Sequence, residues 1–347
     1  VNGQPGTAQP GEGTGAESLS AEVAAAAKLL SGASDVTLLA HVNPDADALG
    51  SALALGRALR GRGARVRVSF GHPGAVPRSL RVLDPDGLIV PADEVPAAPP
   101  LLVVCDAGSL QRLGALAGRV RATIDAGGSV LNIDHHVANP RFGTHHVIDE
   151  TAVATVLLVL RLLDELGAPL DLPIARCLYA GLVTDSGRFR RAQASTHLVA
   201  ARLLEAGVEP DELTRSLMDT HPFAWLPMLS GVLGQAALEP VAAQGLGMVH
   251  AVVRLAESEP VRSEELDSVI DIVRTTAEAE VAVVLKEIAA DRWSVSLRAD
   301  RRVDVGKAAN LCGGGGHRLA AGFTADGSAE DVLDSVRAAL EQAPLLD

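Results

Sequence analysis

The sequence predicts an α/β fold: an N-terminal domain with a mostly parallel sheet flanked by helices, then a smaller α/β C-terminal domain. Three observations predict it. Leu101–Cys105 (LLVVC) and Val130–Ile133 (VLNI) are short continuous apolar runs, the composition of strands buried on both faces. Helical patterns alternate with such runs, as βαβ units require. An ionisable residue follows each of three strands: His41, Asp106 and Asp134. In open parallel sheets, sites form outside the carboxyl ends of the strands.

The elements follow in order. Residues 1–17 are polar and rich in Gly and Pro, and read as a disordered tail. A helix is expected over 19–30, a strand over Val36–Ala40, and a helix over Ala48–Arg62, where Leu49, Leu53 and Leu59 keep near-helical spacing. Val66–Phe70 is a second strand; LLVVC and VLNI follow. Helices are expected at 151–166, 173–183, 195–207 and 209–219. The Pro-bearing stretch after His221 reads as a linker or connecting helix. Beyond it the pattern is strand (246–253), helix, strand (281–287), strand (292–298), helix, Gly-rich loop, helix. Leu266, Val269, Ile270 and Val273 make one helical face, and Trp293, Val295 and Leu297 alternate with Ser294, Ser296 and Arg298.

Composition narrows the function. The 347 residues are long enough for two domains. They are 48% hydrophobic but only 2% aromatic, so the core must be Val, Leu, Ile and Ala. No apolar run has the length of a membrane span, and the first residues lack the apolar centre of a signal peptide. No membrane association is expected. Cys105, Cys177 and Cys312 are far apart, which argues against disulfides and a thiolate zinc site and for a reducing cytoplasm. A net charge of −13 disfavours long duplex nucleic acid, which requires a basic footprint.

Two segments carry chemistry. His41-x-x-x-Asp45-x-Asp47 lies at a strand-to-helix turn, and Asp134-His135-His136 closes an apolar run. Oxygen-rich ligands with a few imidazoles suit Mn²⁺ or Mg²⁺ better than structural zinc. Two such clusters in one fold suggest a two-metal site that hydrolyses a phosphate ester. Asp47 also reads as a cap for the helix that follows it. Asp106 ends an apolar strand, where an unpaired carboxylate is costly. Asp185 ends an apolar helix in Gly181-Leu182-Val183-Thr184-Asp185. Gly313–Gly316, before His317, brings backbone N–H groups together as anion nests do. His145 and His146 form a second pair, read as surface or satisfied-core residues. Arg188 and Arg190 divide evenly between substrate contact and a solvated face.

These segments, taken together, resemble the DHH/DHHA1 phosphoesterase superfamily from about residue 20 to the end. Gly313–Gly322 (GGGGHRLAAG) is similar to the GGGH signature of its DHHA1 domain. The subgroup resembled is the small stand-alone NrnA-like one of bifunctional oligoribonucleases and PAP phosphatases, some of which act on cyclic-di-AMP or its linear product. The resemblance implies a DHH catalytic domain over 18–213, a linker over 214–235 and a DHHA1 substrate-binding domain over 236–345.

It further implies two divalent cations, Mn²⁺ first, with Mg²⁺ or Co²⁺ as alternatives. His41, Asp45 and Asp106 would hold one; Asp47, Asp106, His135 and Asp185 the other, with Asp106 bridging. The four carboxylates formally sum to −4, which two divalent cations would neutralise. Asp106, Asp134 and His136 are the expected catalytic residues, with Asp134 orienting His135 and His136 facing substrate. Arg298, His317, Gly315, Gly316, Arg318, Asn310 and Arg274 are the expected substrate contacts. The implied substrates are short oligoribonucleotides and nucleotide bisphosphates, held between the domains of a homodimer's subunit. Three other readings are weighed. A family II-like inorganic pyrophosphatase shares the first-domain ligands but not the Gly313–His317 motif. A RecJ-like exonuclease normally carries extra nucleic-acid-binding modules. A non-enzymatic nucleotide-binding regulator predicts missing ligands, whereas every expected position here is filled.

Overall fold

The computed structural model describes residues 13–137, 139–258 and 261–346. The chain divides into two compact units, one ending at Thr220 and the other starting at His221.

The first unit opens with α1 (Gly13–Ser31). That helix starts inside the stretch read as a disordered tail, whose residues 1–12 lie outside the described ones. Then come β1 (Asp35–Leu39), α2 (Ala46–Gly61), β2 (Arg65–Ser69), β3 (Leu101–Cys105), α3 (Ala117–Asp125), β4 (Ser129–Asp134) and β5 (His145–Ile148). Four helices complete the unit: α4 (Thr155–Glu165), α5 (Leu172–Asp185), α6 (Ala194–Glu205) and α7 (Pro210–Met218). The sheet has the order β2-β1-β3-β4-β5, and every pairing is parallel.

Both faces of this sheet are covered, which is why its strands read as unbroken apolar runs. Leu38, Leu101, Val103, Leu131 and Ile133 point to the side of α2, α4 and α5. Leu39, Leu102, Val104 and Val130 point to the other side, against Leu113, Leu116 and Val120. Two glycines let α2 and α5 close on each other. A Cβ at Gly50 would lie 2.4 Å from the Cys177 carbonyl oxygen, and one at Gly181 would lie 2.8 Å from Asp47 Cα.

The second unit begins with α8 (Trp225–Gly234), so the stretch 214–235 contains the end of α7 and all of α8. It continues through β6 (Ala237–Glu239), α9 (Ala242–Gly245), β7 (Met248–Val253), α10 (Leu255–Ser258), α11 (Ser263–Asp267) and α12 (Val269–Val273). Next come β8 (Val281–Ala289), β9 (Arg292–Ala299), α13 (Val305–Leu311), β10 (Gly315–His317), β11 (Ala320–Asp326) and α14 (Ala329–Gln342). The mixed sheet has the order β10-β11-β9-β8-β7-β6. Trp293, Val295 and Leu297 are buried on the α13–α14 side; Leu266, Val269, Ile270 and Val273 pack on the opposite side.

The Gly-rich segment departs from the expected loop. Gly315–His317 pairs antiparallel with Ala320–Gly322, making a hairpin on the sheet edge. Among the described residues, no helix is long and apolar enough to cross a membrane.

Candidate metal centre

Three strand ends and two helix ends bring the first-unit residues together. His41 follows β1, Asp106 follows β3, and Asp134 ends β4 with His135 and His136 just beyond. Asp47 lies in the first turn of α2 and Asp185 at the last residue of α5. Asp106 takes a left-handed conformation (φ 59°), which turns the chain sharply as it leaves the sheet.

Two donor sets result. His41, Asp45 and Asp106 place one ligand-capable atom each within 4.8 Å of one another; so do Asp47, His135 and Asp185. Asp106 meets both. Its Oδ2 is 3.6 Å from His41 Nε2 and its Oδ1 is 3.4 Å from His135 Nε2. His41 Nε2 is also 3.5 Å from Asp45 Oδ2, and His135 Nε2 is 3.2 Å from Asp185 Oδ2. Asp47 and Asp106 are buried, whereas the Asp45 side chain is half exposed and marks the open side.

The donors fit divalent cations. Each imidazole turns its Nδ1 away from the carboxylates to a backbone carbonyl: His41 to Val42 O at 2.8 Å, His135 to Ala152 O at 2.9 Å. A carbonyl oxygen only accepts, so each Nδ1 carries a hydrogen and each Nε2 faces the carboxylate cluster, where, once deprotonated, it would offer its lone pair to a cation. Metal-binding histidines are oriented in this way.

Electrostatics describe a cluster that needs positive charge. Burial works against a charged His41, but Asp45 and Asp106 outweigh it and push its pKa up to about 10. Burial likewise opposes a charged His135, and Asp185, Asp106 and Asp47 push it up to about 11. Asp106 is held well below the carboxylate range despite burial, by His41, His136 and His135. Asp47 is raised, by burial first and then by the Asp106 and Asp185 charges. Burial also raises Asp185. Protons on the imidazoles thus do part of the neutralising that cations would do.

Two sequence expectations are corrected by the local geometry. Asp134 does not orient His135: its Oδ1 accepts from His136 Nδ1 at 2.7 Å, because His135 turns its Nδ1 to Ala152. Asp47 does not cap α2. Asp45 does, accepting from the N–H groups of Asp47 and Ala48. Asp47 instead accepts from the Thr155 and Val156 N–H groups at 2.6 and 2.9 Å, satisfying the start of α4. Sequence reasoning also missed Thr155, whose hydroxyl donates to Asp106 Oδ1 at 2.8 Å, and Asn139, which donates to Asp134. The hydroxyl at the start of an apolar helix was the one signal for Thr155. His145 and His146 lie on β5, outside both donor sets.

Comparison with known proteins gives the family. The model described as "DHH family, N-terminal domain" matches residues 35–182, and "DHHA1 domain" matches 246–343. A Thermus thermophilus protein named "Bifunctional oligoribonuclease and PAP phosphatase NrnA" is 33% identical over 90% of this chain and 92% of its own. The chain belongs to the DHH family. It is a hydrolytic enzyme of the phosphoesterase class, and DHH phosphoesterases are metal-dependent. Two solved structures share the fold. An exopolyphosphatase-related protein from Bacteroides fragilis has a TM-score of 0.82 at 22% identity, covering 93% of this chain and 96% of its own. RecJ of Thermus thermophilus with Mn²⁺ has a TM-score of 0.55 at 18% identity, covering 92% of this chain and 54% of its own.

In the DHHA1 unit, the expected substrate contacts gather only in part. Gly315, Gly316 and His317 form β10, and Arg318 is exposed in the hairpin turn. Arg298 on β9 is paired in register with Ala320, itself opposite His317, and its Nη1 donates to the Leu297 carbonyl. Asn310 is exposed on α13 with its Oδ1 against Gly315. Arg274 is separate: it ends α12 on the other face of the sheet and pairs with Asp271 at 2.8 Å. The anion-nest reading is corrected for two glycines. Gly313 N–H donates to Asn310 O and Gly314 N–H to Ala309 O, with Gly313 at φ 80°. Those N–H groups close the carboxyl end of α13 in a Schellman motif.

Proposed function

We propose that this chain is a two-metal phosphoesterase. In this reading it hydrolyses short oligoribonucleotides, such as nanoRNA and pApA, to mononucleotides. It also removes phosphate from 3′-phosphoadenosine 5′-phosphate. The observation that carries the reading is the meeting of two carboxylate–imidazole donor sets at the buried Asp106. The name of the Thermus thermophilus relative supports the substrate class. Breakdown of the linear product of cyclic-di-AMP belongs to the same chemistry, and the family resemblance supports a homodimer.

His41, Asp45 and Asp106 would hold one cation; Asp47, Asp106, His135 and Asp185 would hold the other. Divalent cations supply charge neutralisation for the phosphoryl oxygens and a water nucleophile at neutral pH, with Mn²⁺ favoured over Mg²⁺ or Co²⁺. Asp106 fixes the spacing by giving one oxygen to each set. His136 has its Nδ1–H held by Asp134. Burial opposes charge on its ring, but Asp134 and Asp106 outweigh it and raise its pKa, so Nε2 would also carry a proton and donate to a phosphoryl or leaving oxygen. Arg298, His317 and the glycines of β10 grip the terminal phosphate or base.

The test is a panel of pApA, 3′-phosphoadenosine 5′-phosphate, cyclic-di-AMP, pyrophosphate and a long single strand. Metal-stripped protein is reloaded with Mn²⁺, Mg²⁺ or Co²⁺ before each assay. Turnover of the first two that returns only with metal is expected. Phosphate from pyrophosphate alone, or processive degradation of the long strand, overturns the reading in favour of a pyrophosphatase or a RecJ-like exonuclease.

A further inference from the structure

Asp134 has both carboxylate oxygens engaged. Oδ1 accepts from His136 Nδ1 at 2.7 Å, and Oδ2 accepts from the Asn139 side-chain amide. The orientation of that amide is fixed from behind. Its oxygen accepts the Arg141 backbone N–H at 2.8 Å, a donor that no nitrogen of an amide can satisfy. It also accepts from Asn132 Nδ2 at 3.1 Å, and Asn132 is fully buried on β4. Asn139 Nδ2 is thereby committed to Asp134, with the Ala107 carbonyl oxygen at 3.4 Å as its other neighbour. Gly108 makes room for the imidazole: a Cβ there would come within 2.9 Å of His136 Cβ.

We propose that Asn139 is a positioning residue for phosphoester hydrolysis: it holds Asp134 so that His136 keeps Nδ1–H inward and offers Nε2 to substrate. This rests on the function proposed above for its last clause only. The physical reason is directional. A carboxylate with one donor can rotate about its terminal torsion, whereas one clamped on both oxygens fixes the plane, and hence the tautomer, of the imidazole bound to it. Outer partners of this kind are typically worth about 10–100-fold in activity.

The test uses two variants of the full chain loaded with Mg²⁺. Asn139→Ala removes the amide; Asn139→Asp keeps its shape and the oxygen for Arg141 but removes the donor, so the experiment survives a folding defect in the first. The activity-free readout is the side-chain ¹⁵N shifts of His136. Recorded at a pH high enough to leave the ring neutral, the wild type should show the Nδ1–H tautomer, and both variants a mixture. With pApA, kcat should fall about 10–100-fold with KM and metal content unchanged. The pair H136A/N139A should be no slower than H136A, because residues acting through one group are not additive. An unchanged tautomer in folded Asn139→Asp, or losses that multiply in the double variant, overturns the proposal. A wild type inert on pApA whose His136 tautomer still shifts in the variants supports the positioning role and removes the substrate reading instead.

Discussion

The two units carry their polar residues in opposite ways. In the first, Asp47 and Asp106 are buried, and each is bonded to a group from another element: Asp47 to the start of α4, Asp106 to Thr155. In the second, Arg318 and Asn310 are exposed, and Arg298 donates to a carbonyl beside it. A buried carboxylate is expensive to leave unpaired, so its geometry is set by the fold before any ligand arrives. An exposed arginine pays little for waiting in water. The centre in the first unit is therefore preorganised, whereas the hairpin of the second leaves Arg318 at the surface.

The sharpest way to break this contrast is to remove its central carboxylate. Asp106→Ala should abolish cation binding and lower hydrolysis by at least about 10³-fold, because the group belongs to both donor sets. Metal analysis alongside turnover checks it. Normal occupancy and normal rate would mean the two sets do not share Asp106.

A pH series tests the same centre. His41 and His135 have pKa values of about 10 and about 11, so each is protonated at pH 7 in metal-free protein and must lose a proton to ligate. One proton per set makes each Kd rise about tenfold for every unit fall in pH below that range. The fall steepens in acid, where the raised Asp47 and Asp185 also hold protons. Stability of the metal-free protein runs the other way. The contribution of the charged imidazoles is complete below their ordinary value of 6.5, declines as pH rises, and is lost through about 10 to 11. Calorimetric titration in buffers of different ionisation enthalpy counts the protons released. Binding that is independent of pH would exclude Nε2 of both histidines as ligands.

Packing offers a third lever. At Gly181 a Cβ would lie 2.8 Å from Asp47 Oδ1 and 2.7 Å from a Val156 methyl. Gly181→Ala should cost about 1–3 kcal/mol by overpacking and weaken cation binding by displacing Asp47. A thermal melt with and without metal separates the two effects; an unchanged metal-dependent shift would show that Asp47 had not moved.

How much of this was legible in the sequence follows from burial. Strands β1, β3 and β4 could be read because a sheet covered on both faces favours mostly apolar runs, and an ionisable residue follows each run. The partners were illegible. Asp134 and His136 are two residues apart, and nothing in the string distinguishes that pairing from Asp134 with His135. Asn139 and Thr155 are ordinary polar residues whose value lies in contacts across loops. Glycine is a poor strand former, so β10 read as loop. It pairs because close approach requires glycine: a Cβ at Gly316 would lie 2.6 Å from Ala320 O.

The smallest expected effects lie in the second unit, where the contrast can be sharpened rather than broken. His317→Ala should raise KM for a dinucleotide about tenfold, the worth of roughly one hydrogen bond to a charged group, and lower kcat less. Arg274→Ala should change either constant less than about twofold, because its guanidinium is already paired with Asp271 and surface pairs of this kind contribute little. The ratio of the two KM effects is the informative quantity. If both variants raise KM equally, the ligand surface extends over both faces of the mixed sheet and the hairpin loses its special place. If only His317 matters, the proposed grip is confined to the end of the sheet where β9, β10 and β11 meet.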